Sequence, residues 1–318
     1  MGCKQLEQRQ LGNSGLRVSA IGLGTMTWGR DTDEHEAAEQ LRIFTESGGT
    51  FIDTAASYCD GDSERVIGGL IGTMIPREEV VIATKAGIVG RDIDNSRGAL
   101  MRDLDESLKR LHTTYVDLWQ IHAWDPTVRL EETLSAMDIA VNSGRVRYVG
   151  ISNFSGWQSA RAITLQSAGA GRAEISATHN EYSLLNRKIE KEVLPCSQNL
   201  GVGVLAWSPL GRGVLTGKYQ NGIPADSRGA SPHLGPFVAN YLDARSKQIV
   251  TAVSTAADGL GAAPLEIALS WVRDSPGISS AIIGARTSAQ LRGALRSNDL
   301  VLPDLVRSAL NDISEAGD

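Results

Sequence analysis

Short apolar runs alternate along this chain with longer segments in which apolar residues recur every three or four positions. Nearly continuous apolar runs are typical of parallel strands covered on both faces, whereas the longer period is typical of amphipathic helices. The pattern predicts eight strands, at residues 19–24, 50–55, 80–85, 116–122, 147–152, 175–182, 202–207 and 278–284.

Helical patterns occupy the intervals between these strands. Asp33 and Glu36 have the spacing of a helix cap and its reciprocal partner, and Ala37, Leu41 and Phe44 then share one face. Two further apolar stripes are formed by Leu100, Leu104, Leu108 and Leu111, and by Leu130, Leu134, Met137 and Val141.

Eight strands that alternate with helices over 318 residues predict an α/β protein with a single (β/α)8 TIM barrel. A doubly wound open sheet is the alternative. A small β-hairpin is expected at residues 8–18, before the first barrel strand. Residues 219–236, rich in glycine and proline, predict a long functional or mobile loop after strand seven. Since no linker divides the chain, residues 1–318 are predicted to form one domain.

Composition narrows the classes of partner. A net charge of −6 without a basic block argues against nucleic acid, and no apolar run is long enough to cross a membrane. Cys3, Cys59 and Cys196 are odd in number and lack metal-site spacing. No signal peptide is evident, because charged residues interrupt the start of the chain. We therefore expect free thiols, no metal and a cytoplasmic location.

Four chemically active side chains follow consecutive predicted strands. Asp53 and Tyr58 come after strand two, Lys85 ends strand three and His122 ends strand four. Because the carboxyl ends of the strands meet at one mouth of a TIM barrel, these side chains are expected to converge. A buried ammonium lowers the pKa of a nearby phenol, and a carboxylate keeps that ammonium charged.

Such a group can polarise a carbonyl and deliver a proton to it, with His122 as a neutral donor that orients the oxygen. Side chains cannot supply a hydride, so a nicotinamide cofactor is implied. A Schiff-base aldolase that uses Lys85 is an alternative, which Asp53 disfavours because a salt-bridged ammonium is a poor nucleophile.

Seven ordered motifs make the chain similar to a known family. They lie at residues 22–29, 51–58, 83–85, 120–122, 150–154, 206–213 and 283–287. In them the chain resembles the aldo-keto reductases, and within these the bacterial and plant reductases related to potassium-channel β subunits. The resemblance implies that Tyr58 is the proton donor, that Lys85 and Asp53 tune it, and that His122 orients the carbonyl. It also implies an NADPH that lies extended across the barrel mouth.

The resemblance places Ser152, Asn153 and Trp207 at the nicotinamide. For the phosphates, the loops after strands seven and eight of a barrel are the usual site, and Arg286 precedes a predicted capping box of Thr287 and Gln290. An arginine there favours the 2′-phosphate of NADPH over NADH. The full set of predicted cofactor contacts is Gly24, Thr25, Met26, Asp53, Ser152, Asn153, His179, Trp207, Ser208, Leu210, Arg212, Gly213, Lys218, Gly284, Arg286 and Gln290.

Three positions depart from the family pattern: His179 replaces a frequent glutamine, Ala294 an asparagine, and Gly284 the lysine of other branches. The substrate pocket is predicted to be lined by Trp28, Tyr58 and Trp124, which suit small aliphatic and aromatic aldehydes. A nucleotide-binding regulator with little turnover is a second alternative. A monomer is expected, with larger assemblies left open.

Overall fold

The computed structural model describes residues 4–90, 92–232 and 234–315, so Cys3 lies outside the described residues. Eight parallel strands form the centre of the structure: β1 (Ile21–Gly24), β2 (Phe51–Asp53), β3 (Val81–Ala86), β4 (Val116–Ile121), β5 (Val146–Ser152), β6 (Ile175–Glu181), β7 (Gly203–Trp207) and β8 (Ile278–Ile283). They form a closed barrel in the order β6-β7-β8-β1-β2-β3-β4-β5. The (β/α)8 TIM barrel is therefore confirmed, and the open sheet is excluded.

Helices surround the barrel and bury the apolar stripes that the sequence predicts. Leu100, Leu104, Leu108 and Leu111 are all buried. The helices are α1 (Glu34–Glu46), α2 (Asp62–Leu70), α3 (Arg97–Arg110), α4 (Leu130–Asn142), α5 (Gly156–Ser167), α6 (Val193–Leu200), α7 (Gly235–Ala239), α8 (Ala244–Leu260), α9 (Pro264–Arg273), α10 (Ser288–Leu295) and α11 (Asp304–Ser314).

The two predicted capping boxes form only in part. Asp33 caps α1 by accepting from the Glu36 amide at 2.8 Å, but the Glu36 carboxylate accepts from the backbone amide of Ser288. At α10, Thr287 accepts from the Gln290 amide (3.3 Å), while the Gln290 side chain accepts from the amide of Arg286 at 2.9 Å. Glu36 therefore connects α1 to the start of α10, whereas Gln290 bonds to the residue just before its own helix cap.

The predicted amino-terminal hairpin is confirmed, with antiparallel strands Gln8–Gln10 and Arg17–Ser19. Its apolar residues close the lower end of the barrel. Leu11, Leu16 and Val18 share one buried cluster with residues that project into the barrel from β2, β3, β4, β6, β7 and β8, namely Phe51, Ala83, Leu118, Ala177, Leu205 and Ile282. The barrel interior is thus a packed core at this end.

The segment after β7 contains more regular structure than the sequence predicts. Residues 219–236 include a 3-10 helix at Arg228–Ala230 and the start of α7. A second small hairpin, Ile88–Val89 with Asp92–Ile93, follows β3 and was not predicted. Within the part of the chain that the structure describes, no helix combines the length and hydropathy that a membrane crossing requires.

Candidate active site at the upper end of the barrel

A polar layer lies directly above the apolar interior. Side chains two residues apart on a strand project from the same face. Asp53, Lys85, Gln120 and His179 therefore follow Phe51, Ala83, Leu118 and Ala177 into the barrel, toward its carboxyl-terminal mouth. All four polar side chains are buried. The alternation that packs the lower core thus gathers ionisable groups at the mouth.

Lys85 is the centre of this layer. Its ammonium is completely buried and donates to both carboxylate oxygens of Asp53 at 2.8 Å and to the Thr54 carbonyl oxygen at 2.7 Å. Burial lowers the pKa of Lys85, but Asp53 and Tyr58 more than offset that effect and raise it. An ammonium held in this way stays protonated, and this makes Lys85 a poor Schiff-base nucleophile.

Tyr58 lies in a short 3-10 segment, Tyr58–Gly61, after β2. The Lys85 ammonium is 3.4 Å from its hydroxyl oxygen and 5.0 Å from the centre of its ring. Burial raises the pKa of the phenol and Lys85 opposes that rise. The expected lowering by Lys85 is present, but burial outweighs it, so the phenol stays protonated at neutral pH.

His122 faces Tyr58 across the mouth, with ring centres 5.9 Å apart and planes at 77°. Its backbone is fixed on both sides, since its amide donates to the Ala86 carbonyl (2.9 Å) and its carbonyl accepts from the Asn153 side chain (3.0 Å). Burial, followed by the charge of Lys85, lowers the pKa of His122 to about 3. The imidazole is therefore neutral, as the sequence analysis expects.

Ser152, Asn153, His179 and Trp207 form one connected group beside His122. The Asn153 side chain donates to Ser152 Oγ (3.1 Å) and accepts from the indole nitrogen of Trp207 (3.1 Å). Ser152 Oγ lies 3.2 Å from Nδ1 of His179. The backbone of Asn153 is left-handed, at φ 59°. The structure thus brings together the three residues expected at the nicotinamide and His179, a further predicted cofactor contact.

His179 has one nitrogen without a partner. Its Nε2 is buried and accepts or donates no hydrogen bond among the described residues. Burial, with the charge of Lys85, lowers the pKa of His179 well below its usual value. A neutral imidazole with a free nitrogen can make one polar contact with a ligand that enters the mouth.

Three cations crowd together in the loops after β7 and β8. Partial burial and the charges of Arg228 and Arg286 lower the pKa of Lys218, and burial, followed by Arg286, lowers that of Arg228. Among the described residues, no carboxylate lies within salt-bridge distance of any of the three. Mutually repelling cations that are uncompensated by a salt bridge are suited to binding an anion.

The same two loops hold one another by reciprocal contacts. Arg228 donates to the Gly284 carbonyl oxygen at 3.1 Å, and Arg286 donates to the Asp226 carbonyl oxygen. Arg228 was not among the predicted cofactor contacts, although it lies in the loop after strand seven, where (β/α)8 barrels often bind phosphate.

Arg212 has a different environment from the one expected of a phosphate ligand. Its guanidinium forms two hydrogen bonds with the Glu181 carboxylate (3.1 and 2.9 Å) and donates to the Phe237 carbonyl at 2.7 Å. The side chain therefore holds the segment before α8 against β6. The neighbouring predicted contacts Ser208, Leu210 and Gly213 lie in or next to the 3-10 segment Gly211–Thr216 and are partly exposed.

The three predicted cofactor contacts at the end of β1, Gly24, Thr25 and Met26, also make contacts within the protein. Gly24 lies against β8, where a Cβ would approach Ile282 to 3.0 Å. The Thr25 side chain is buried and donates to the Asp53 carbonyl (3.0 Å), and the Met26 carbonyl accepts from Cys59 at 3.3 Å. These contacts connect the end of β1 to the turn that carries Tyr58.

The two predicted pocket tryptophans differ. Trp28 is completely buried, and its indole donates to Gln40 of α1 at 3.2 Å, so the structure does not support it as a pocket wall. Trp124 is partly exposed and packs edge-on against Phe154 and Trp157, at 5.2 and 5.4 Å between ring centres. Trp124, Phe154 and Trp157 therefore form an aromatic cluster beside His122.

Fold and site together define a class: a (β/α)8 barrel whose mouth holds a phenol beside a buried, ion-paired ammonium and a neutral imidazole. Comparison with known proteins agrees. Residues 20–315 match the model of the Aldo/keto reductase family, and the chain belongs to that family.

Three relatives extend over nearly the same length. The chain is 35% identical to the uncharacterized oxidoreductase YrpG of Bacillus subtilis, over 97% of this chain and 96% of the relative. It is 33% identical to a probable voltage-gated potassium channel subunit beta of Arabidopsis thaliana, over 98% and 96%. It is 34% identical to the L-glyceraldehyde 3-phosphate reductase of Escherichia coli, over 90% and 86%. The family and these relatives identify the chain as an oxidoreductase of the carbonyl-reducing type.

Proposed function

We propose that the protein reduces aldehydes and ketones to alcohols with NADPH. The observation that carries the proposal is the contact of the Lys85 ammonium with both the Asp53 carboxylate and the Tyr58 hydroxyl. That arrangement stabilises negative charge on the phenol oxygen at the moment when the phenol gives up its proton.

The residues at the mouth fit a nicotinamide nucleotide. Ser152, Asn153 and the free nitrogen of His179 would hold the carboxamide, and Trp207 would lie against the ring. The uncompensated cations Lys218, Arg228 and Arg286 would hold the phosphates, with Gly284 and Gln290 at the same loop. When bound, the reduced nicotinamide supplies a hydride.

The chain's own residues prepare the carbonyl and the proton. The neutral imidazole of His122 orients the carbonyl oxygen by hydrogen bonding, and Tyr58 delivers its phenol proton to that oxygen. Lys85 stabilises the phenolate that is formed, and Asp53 keeps Lys85 charged. Trp124 provides an apolar wall that suits small aliphatic and aromatic aldehydes.

Four further predictions from the sequence are part of this proposal. They are the organisation of residues 1–318 as one domain, the cytoplasmic location, the monomeric state and the preference for NADPH over NADH. A regulatory role, suggested by the channel-subunit relative, is the competing function.

The decisive experiment titrates the purified protein with NADPH and NADH by fluorescence and then follows oxidation of NADPH with 4-nitrobenzaldehyde. Tyr58→Phe is expected to bind NADPH normally and to lose roughly a hundredfold or more in kcat. Tyr115→Phe, whose ring lies between Arg77 and Arg147 at 4.2 and 4.5 Å, is the matched control and keeps full activity. Binding without turnover by the unaltered protein would favour the regulator, and absence of binding would refute the cofactor assignment.

A further inference from the structure

The turn that carries Tyr58 has an unusual backbone. Cys59, Asp60 and Gly61 follow Tyr58 and are all left-handed, with φ of 49°, 54° and 87°. Left-handed backbone is unfavourable for residues other than glycine, and two such residues in succession persist only where the surroundings fix them. The segment immediately after this turn, the first turn of α2, is therefore the place to look for what holds it.

Glu64 in that first turn is a completely buried carboxylate with two strong contacts. One oxygen accepts from the hydroxyl of Thr84 at 2.5 Å, and the other accepts from Nε of Arg110 at 2.7 Å. Thr84 precedes Lys85 on β3. Glu64 thus connects the helix that ends the Tyr58 turn to the strand that carries the catalytic lysine, and Arg110 of α3 keeps the carboxylate paired.

Ser63 makes a second connection to the same lysine. Its hydroxyl lies 2.9 Å from the hydroxyl of Thr54 and 2.8 Å from that of Thr25, and it donates to the Thr25 carbonyl at 2.9 Å. Thr54 in turn accepts from the Lys85 ammonium through its carbonyl oxygen. All three hydroxyl-bearing residues are buried.

The side of the turn opposite to the phenol is also fixed. A Cβ on Gly61 would approach the Arg110 side chain to 2.7 Å, so the turn packs directly on the guanidinium stem that is paired with Glu64. The Tyr58 turn is therefore bounded by β2 at its start and by Ser63, Glu64 and Arg110 at its end. Ser63 and Glu64 are themselves completely buried.

We propose that Ser63 and Glu64 are positioning residues, which hold the strained Tyr58 turn against the strand of Lys85 and so fix the separation of phenol and ammonium. The proposal rests on the proposed function for its catalytic meaning. It predicts that the Tyr58–Lys85 contact, at 3.4 Å, lengthens when the connection through Thr84 is removed.

The test uses Thr84→Val, which removes the hydroxyl that donates to Glu64, and Glu64→Gln, which removes the charge paired with Arg110 and replaces one of the two accepting oxygens by an amide nitrogen. Both variants are expected to lose about tenfold in kcat with unchanged KM and unchanged NADPH affinity. Because Lys85 stabilises the phenolate, looser contact raises the pKa of Tyr58. The alkaline limb of kcat is then expected to move upward by roughly one pH unit.

A second readout does not require turnover. Ultraviolet difference titration of the phenol, with Tyr58→Phe as the reference, reports the pKa of Tyr58 without substrate, so this measurement remains valid if the proposed reductase activity fails. The matched control is Asp117→Asn. Asp117 also pairs with an arginine (Arg77, 2.6 Å) and bonds to β3, through the Ile82 amide at 2.9 Å, but it lies away from the Tyr58 turn.

Support for the proposal is a shift of the Tyr58 titration in Thr84→Val and Glu64→Gln that Asp117→Asn does not show at comparable loss of thermal stability. If the two variants lower only the unfolding temperature, as the control does, and leave the Tyr58 titration unchanged, Glu64 is merely structural and the proposal is wrong.

Discussion

The barrel mouth has two ends, one at Tyr58 and the other at Lys218, and they are built differently. At the Tyr58 end, Asp53 and Lys85 project from strands, are buried, and are held by several hydrogen bonds each. At the Lys218 end, the cations lie in loops and are exposed or partly exposed, and Arg228 and Arg286 are each held by a backbone carbonyl of the other loop. The geometry of the first end is fixed by strands and an ion pair, whereas the second end has mutually repelling cations on loops.

The comparison teaches that proton transfer and anion binding make different demands on a scaffold. A proton donor must be placed within a fraction of an ångström, which strands and a packed interior provide. Phosphate groups are bound by charge, which tolerates a longer and more exposed side chain. Changes at the two ends should therefore appear in different kinetic parameters.

The largest effect is expected from Lys85→Met. Removing the ammonium leaves the phenol without its stabilising charge, so kcat should fall by roughly a hundredfold to ten-thousandfold while NADPH still binds. The variant should also lose about 3–5 kcal/mol of unfolding free energy, because Asp53 stays buried without its partner. Both losses are measured by steady-state kinetics and denaturant unfolding.

The double variant Asp53→Asn with Lys85→Met separates the two effects. It removes the buried charges together and should recover most of the stability but none of the kcat. Recovery of kcat in the double variant would show that the loss in the single variant came from misfolding, not from the missing ammonium.

A smaller effect at the opposite end is expected from Arg286→Leu. The Kd for NADPH should rise about tenfold or more, since a charge-assisted hydrogen bond contributes about 1.5–3 kcal/mol, and kcat at saturating NADPH should not change. Arg292→Leu, an exposed arginine on α10 paired with Glu39, is the control. Equal weakening of NADPH and NADH by Arg286→Leu would contradict a role for this residue at the 2′-phosphate.

The smallest effect concerns pH. His122, with its pKa near 3, and His179, whose pKa is also lowered, stay neutral as pH is varied above about 5. Because burial raises the pKa of Tyr58, its proton is lost only at alkaline pH. The profile of kcat for reduction should therefore be flat between about pH 6 and 9 and fall above about 10. An inflection near 6.5 would show that a histidine titrates in the reaction.

The strand-end residues were predictable because strand position fixes side-chain direction. Once β2 and β3 are recognised, period-two alternation places Asp53 and Lys85 inside the barrel. Trp28 was not predictable in this way, since its burial depends on the approach of Gln40 from α1. The position of the Arg212 side chain depends on its left-handed backbone, at φ 59°, and on the ion pair with Glu181 of β6. Such long-range pairings leave no local pattern in the sequence.

The amino-terminal hairpin has a consequence for how the molecule is made. Its turn bonds to the end of α6, just before β7, where the Asn13 amide donates to the Gly201 carbonyl at 2.8 Å. Its apolar residues join the core beneath β7 and β8. A ribosome produces the hairpin long before those strands exist. Leu11, Leu16 and Val18 therefore have no complete core to pack against during most of translation. Contacts of such high sequence separation are slow to form and leave apolar surface open to aggregation. We therefore expect the lower end of the barrel to pack late in biosynthesis, and this step to be sensitive to chaperones.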